Sequence, residues 1–106
     1  MNPVENRILE VEEIGDEGCG PILRTGEIAD AALDAIAEDN PEKKVFVIDR
    51  GDYVRINTLG ECRLTRKSME RNLGREFALP RIEIEMPSFA GRIRTSDHEI
   101  VWYHNS

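Results

Sequence analysis

Between Ile28 and Ile36 the apolar positions fall at helical spacing. Ile28, Ala29, Ala32, Leu33 and Ile36 share one face, and Glu27, Asp30, Asp34 and Glu38 share the other. Thr25 or Gly26 can cap this helix at its start, and Asp39-Asn40-Pro41 stops it, because proline restricts the residue before it and cannot continue the hydrogen-bond ladder. Acids in the first turn suit the helix dipole, but Glu38 and Asp39 at the other end oppose it, so something other than helix stability keeps them there.

Period-two and continuous β-branched runs surround this helix. Gly20-Pro21-Ile22-Leu23-Arg24 predicts a short strand before it. After it, Val45-Phe46-Val47-Ile48, the turn residues Asp49-Arg50-Gly51-Asp52 and Tyr53-Val54-Arg55-Ile56 predict a hairpin. A break at Asn57-Thr58-Leu59-Gly60 precedes Glu61-Cys62-Arg63-Leu64, whose alternation puts Cys62 and Leu64 on one face. Thr65 then caps a second helix through Leu73, with Met69 and Leu73 inward and Gly74 in the position just past the end where positive φ is needed. Ile82-Glu83-Ile84-Glu85-Met86 alternates strictly and predicts a half-buried strand with its two glutamates on the wet side. Gly91-Arg92-Ile93-Arg94 and Ile100-Val101-Trp102-Tyr103 predict a terminal hairpin around Ser96-Asp97-His98-Glu99. The order defines an α+β fold, two helices packed on a mainly antiparallel sheet. The expected core is Ile28, Ala32, Leu33 and Ile36 against Val45, Val47, Val54, Ile56, Ile82 and Ile84.

Met1 to Gly18 sustains neither period and ends in the breaker-rich Gly15-Asp16-Glu17-Gly18. It reads as a mobile acidic tail, residues 1–18, ahead of one folded domain, residues 19–106. Charge is uneven too: Met1 to Pro41 carries 11 acids, six of them by Glu17, against Arg7 and Arg24, whereas the remainder carries 12 basic and 10 acidic residues.

Size and composition narrow the function. A chain of 106 residues and 12.1 kDa with 40% apolar residues makes one small domain. Surface scaling gives a folded area of roughly 6,000 Å², enough for a modest core and too little for a large buried substrate cavity. A net charge of -7, with no basic stripe interleaved with aromatics, excludes nucleic acid as the expected partner. No run of 18 apolar residues is present and Met1 to Ile8 lacks the pattern of a signal peptide, so no membrane role is expected and the chain reads as cytoplasmic. Cys19 and Cys62, far apart and without metal-ligand companions, are expected as reduced thiols in that compartment.

The pattern offers little for catalysis. His98 sits in a predicted turn and His104 lies two residues from the end, where surface roles are expected. No serine or cysteine has histidine and carboxylate partners at motif spacing, and no glycine-rich phosphate loop occurs. Glu10, Glu12 and Glu13 read as a solvated charge run rather than a cation cage. Arg50-Gly51-Asp52 reads as hairpin chemistry rather than an adhesion tripeptide. No catalytic, cofactor-binding or metal-binding residue is assigned. One segment stands out: Pro87-Ser88-Phe89-Ala90-Gly91 sets a single aromatic among small residues between two strands. Phe89 is either an anchor for a partner's pocket or a core residue folded under its own loop.

The ordered set Gly20-Pro21-Ile22 with Arg24, Asp39-Asn40-Pro41, Asp49-Arg50, Tyr53-Val54-Arg55-Ile56, Leu64-Thr65-Arg66, Leu73-Gly74-Arg75 with Phe77, and Ser88-Phe89-Ala90-Gly91 resembles the effector, or coupling, proteins of soluble bacterial multicomponent monooxygenases. It is most similar to their toluene monooxygenase branch, from about Gly20 to Tyr103. The resemblance implies a cofactor-free, non-catalytic protein, a monomer when free. Such a protein docks on the diiron hydroxylase and couples oxygen activation and electron transfer to hydroxylation of an aromatic or alkene substrate. It also implies that Ser88, Phe89, Ala90, Gly91 and Arg92 face the hydroxylase. The methane monooxygenase branch carries a more hydroxylated loop there, and Phe89-Ala90 follows the toluene-type pattern. The alternatives are another intracellular interaction or assembly factor, and a small enzyme whose polar groups meet only in space.

Overall fold

A computed structural model describes residues 7–105. In chain order its elements are β1 (Ile8–Glu10), β2 (Gly18–Arg24), α1 (Glu27–Asp39), β3 (Val45–Asp49), β4 (Tyr53–Leu59), β5 (Glu61–Thr65), α2 (Arg66–Leu73), a 3-10 helix (Leu79–Ile84), β6 (Ser88–Ala90), β7 (Arg92–Thr95) and β8 (Glu99–Tyr103). The strands make two sheets, one ordered β1-β3-β4-β2-β6 and the other β5-β8-β7. Only the β1–β3 pair is parallel. The fold is α+β with two α-helices, as the pattern predicts, although the antiparallel strands are split between two sheets.

The buried face of α1 is turned from the predicted stripe. Ala29, Ala31, Ala32, Ala35, Ile36 and Ala37 are buried, whereas Ile28 and Leu33 are half-buried. The helix packs against both α2 and β5, and the alanines let both neighbours approach closely. Its acidic C-terminal end serves the next helix. Asp39 accepts from the Thr65 backbone N–H (2.7 Å) and from the hydroxyls of Thr65 and Ser68 (2.6 Å to Ser68). Glu38 accepts from Arg71 (2.8 Å) and Asn72 (3.1 Å). The positive end that α1 lacks in its own last turn comes from Arg7, which donates to the carbonyls of Ala37 (2.8 Å), Asn40 (3.0 Å) and Lys43 (2.7 Å). The start of α2 is as predicted, with Thr65 as its N-cap accepting from Ser68 N–H, and Gly74 ends it at φ 78.

Three expectations fail on local chemistry. Asn57 and Thr58 do not break the chain: β4 runs on to Leu59 and the turn is confined to Gly60. Both are fully buried, Asn57 donating to the Ile56 carbonyl and accepting from Arg55 Nε (2.9 Å). Ile82–Met86 is no strand, because Pro80 opens a 3-10 helix through Ile84. Three residues per turn align Leu79 and Ile82, both fully buried, and leave Ile84 67% exposed, so Ile84 is not core. Finally, the segment read as a tail without regular structure holds β1, whose Ile8 packs against the core, and Gly18 opens β2; Met1 to Asn6 lie outside the described residues. The core otherwise takes Val45, Val47, Ile56 and Ile82 as predicted, with Val54 half-buried, and adds Leu23, Leu64, Met69 and Trp102.

Candidate partner-docking site

Pro87–Gly91, expected as a loop, contains the edge strand β6. Ser88, Phe89 and Ala90 lie opposite Ile22, Pro21 and Gly20 of β2. With only one neighbouring strand, β6 leaves Phe89 38% exposed, Ser88 exposed and Ala90 half-buried. Phe89 is thus partly covered, opposite the buried Pro21, and is not among the buried core residues.

Gly91 turns the chain from β6 in one sheet to β7 in the other. Its φ is +90, and a Cβ there would meet the Tyr103 carbonyl at 2.8 Å and Cys19 Cβ at 2.9 Å. Both facts require glycine. Arg92 follows, exposed and opposite Tyr103, and Arg94 lies over the Tyr103 ring at 5.3 Å. The 3-10 helix leads into this edge and is fixed to β2 by the Arg24 N–H bonded to the Glu85 carbonyl (2.8 Å). The structure thus holds Ser88, Phe89, Ala90, Gly91 and Arg92 on one strand and its corner. The pattern missed the exposed Ile84 just before them, because strict alternation placed it inside.

Elsewhere the polar groups serve the scaffold. His98 is exposed in the β7–β8 turn, and His104 Nε2 pairs with the Gly18 carbonyl at 2.9 Å. Arg50-Gly51-Asp52 lies in the β3–β4 turn, where Gly51 takes φ 86 and gives its N–H to Asp49 Oδ1 (2.8 Å). Both cysteines are free and fully buried, and burial raises their thiols, that of Cys62 to about 12. Such a thiol is a poor nucleophile at neutral pH. Among the described residues no three His, Cys, Asp or Glu side chains meet as a metal site. A groove of about 320 Å³ has an apolar floor including Ala29, Leu33, Val47 and Val54, with Glu10, Asp30 and Asp49 also in its lining.

The chain belongs to the MmoB/DmpM family, whose model matches residues 17–103. It is 53% identical over 96 residues to the effector subunit of the alkene monooxygenase system of Xanthobacter autotrophicus (strain ATCC BAA-1158 / Py2), a match covering 91% of this chain and 95% of that one. Its fold is similar to that of a chain in a phenol hydroxylase–regulatory protein complex (TM-score 0.71, 22% identity, 83% of this chain and 99% of that one). It is also similar to regulatory protein B of soluble methane monooxygenase (TM-score 0.61, 21% identity, 90% and 70%). The chain is an effector subunit of a multicomponent monooxygenase, a regulatory component and not the catalyst.

Proposed function

We propose that this effector docks on the diiron hydroxylase component through Ser88–Arg92 and couples oxygen activation and electron transfer to hydroxylation of an aromatic or alkene substrate. The observation that carries the reading is Phe89, an aromatic held 38% exposed on an edge strand. Burying such an anchor in a partner's pocket is a characteristic source of binding energy. The phenol hydroxylase relative is known as a complex with its regulatory protein, which supports the same partner here. Phe89-Ala90 favours a toluene-type system, and the alkene monooxygenase relative favours an alkene; a hydrocarbon with a π-bond satisfies both. No helix among the described residues is long and apolar enough to cross a membrane; we further propose that the free chain is a cytoplasmic monomer.

Reconstitution with hydroxylase, ferredoxin and reductase tests this. Turnover and coupling should rise to a plateau near one effector per active site, which an assembly factor would not produce. Phe89→Ala should weaken docking by about 2 kcal/mol or more while changing fold stability by less than about 1 kcal/mol. A folded Phe89→Ala protein that docks and couples like the parent would remove this strand from the interface.

A further inference from the structure

Alternation along β2 and β4 divides their side chains between two faces. Leu23, Ile56 and Thr58 point into the core and are completely buried. Ile22, Arg24, Tyr53 and Arg55 point the other way, where Arg24 and Tyr53 are exposed and Ile22 and Arg55 half-buried. Ile22 lies opposite Arg55 on one side and Ser88 on the other, and Arg24 lies opposite Tyr53. Ala90, two residues beyond Ser88, belongs to this face too. The other end of the face is occupied by the chain before β2: Ile14 sits against Gly18, and Gly60 N–H bonds the Glu17 carbonyl at 3.0 Å.

The charge of this face runs against that of the chain. Net charge is -7, yet the charged side chains of the patch are Arg24 and Arg55, diagonal neighbours across β2 and β4. Among the described residues neither has a carboxylate within ion-pair distance, whereas Arg63, Arg66, Arg71 and Arg75 each have a glutamate. Arg50, Arg81, Arg92 and Arg94 have no carboxylate partner either: Arg50 lies in a turn, Arg81 beside Glu76 and Glu85 in a groove, and Arg92 and Arg94 on β7 in the other sheet, with Arg94 over the Tyr103 ring. Asn57 Oδ1 holds Arg55 through Nε (2.9 Å), which orients the guanidinium and leaves its terminal nitrogens to a partner. Two like charges at diagonal positions repel one another in the free protein. A carboxylate received between them would be gripped by fork-shaped donors over apolar ground supplied by Ile22 and Ala90.

We propose that the β4–β2–β6 face, through Arg24 and Arg55, receives an acidic surface of the hydroxylase. The proposal rests on the docking reading above and shares Ser88 and Ala90 with it, while Phe89, opposite Pro21, alternates to the other side of β6.

Binding of the full chain to the purified hydroxylase, titrated over a range of salt, tests it. Parent binding should weaken steeply with salt. Arg24→Glu should weaken it about tenfold or more at low salt and flatten the salt dependence, whereas Arg24→Lys should keep most of both. Asp30→Lys, in the groove lined by Val47 and Val54 on the opposite side of the sheet, should not weaken it. Unchanged emission from the single buried Trp102 establishes that each variant is folded. If Arg24→Glu binds with parental affinity and salt dependence while Phe89→Ala binds weakly, the sheet face is excluded and edge-strand docking stands. Equal losses for Arg24→Glu and Arg24→Lys with an unchanged salt slope would also overturn it, showing a packing role. A parent chain that does not bind the hydroxylase at all defeats the docking reading itself.

Discussion

Asp39 opposes the dipole of its own helix and caps the next one. Its carboxylate oxygens bond the backbone N–H and hydroxyl of Thr65 and the hydroxyl of Ser68, so α1 and α2 are joined at one residue. The conflict with the dipole was legible in the sequence; the partner was not, because Thr65 and Ser68 lie more than 25 positions away. Hydrogen bonds to one titratable group and burial of another give the residue scale its pH dependence. Glu70 is held below the usual carboxylate range by the Phe77 N–H and then by Arg66, so its contribution is lost as pH falls through that lowered value. Cys62 acts in the opposite direction. Burial pushes its thiol to about 12, whereas an unfolded thiol titrates near roughly 8.5. Between those values the unfolded chain has released the proton and the folded chain has not. Stability should be fully present below the lower value and fall by up to roughly 1.4 kcal/mol per pH unit above it. Urea midpoints measured from pH 8 to 11 should drop more steeply for the parent than for Cys62→Ala. Parallel slopes would show that Cys62 ionises freely in the native state.

Elements were legible where one period persisted. The helix α1, the β3–β4 hairpin, the cap and αL end of α2 and the β7–β8 hairpin follow from spacing and turn residues. The 3-10 helix was hidden because Ile82-Glu83-Ile84 also fits a strand, and what decides against a strand is Pro80 at its start. The strands β1 and β6 have three residues each, too short to show a period. The proposed site segment stood out by composition at Pro87–Gly91, an aromatic among small residues, and took in Arg92 through the family resemblance alone, while its edge-strand geometry came only from pairing with β2. The rotated face of α1 makes a direct comparison. Ile36→Ala should cost about 2 to 5 kcal/mol, since Ile36 is fully buried between α2 and the sheets. Leu33 is half-buried and lines the groove beside Val47 and Val54, so Leu33→Ala should cost about 1 kcal/mol. Chemical denaturation of both variants checks the orientation, and a larger loss at Leu33 would restore the stripe that the sequence suggested.

At the scale of the whole molecule, two sheets and two α-helices close around Trp102, Leu64, Ile36 and Leu23, none of which lies in residues 1–18. We therefore expect residues 19–106 to fold by themselves, with the acidic segment as an attachment. What that segment adds is specific. Arg7 bonds three carbonyls at the end of α1, Val11 N–H bonds the Val47 carbonyl at 2.9 Å, and β1 lines the open edge of β3. Hydrogen bonds to a charged group contribute about 1.5 to 3 kcal/mol, and three ordered strand residues return much of their gain as lost conformational entropy. Removal of residues 1–18 should leave a single cooperative thermal transition whose Tm is lower by about 4 to 8 °C for each kcal/mol lost. Arg7→Ala in the full chain should reproduce most of that decrease. Amide exchange should order the same way, fast at β1 and slow at β2, β4 and β8. A truncated chain with no cooperative transition would place the boundary elsewhere and make β1 part of the folding unit.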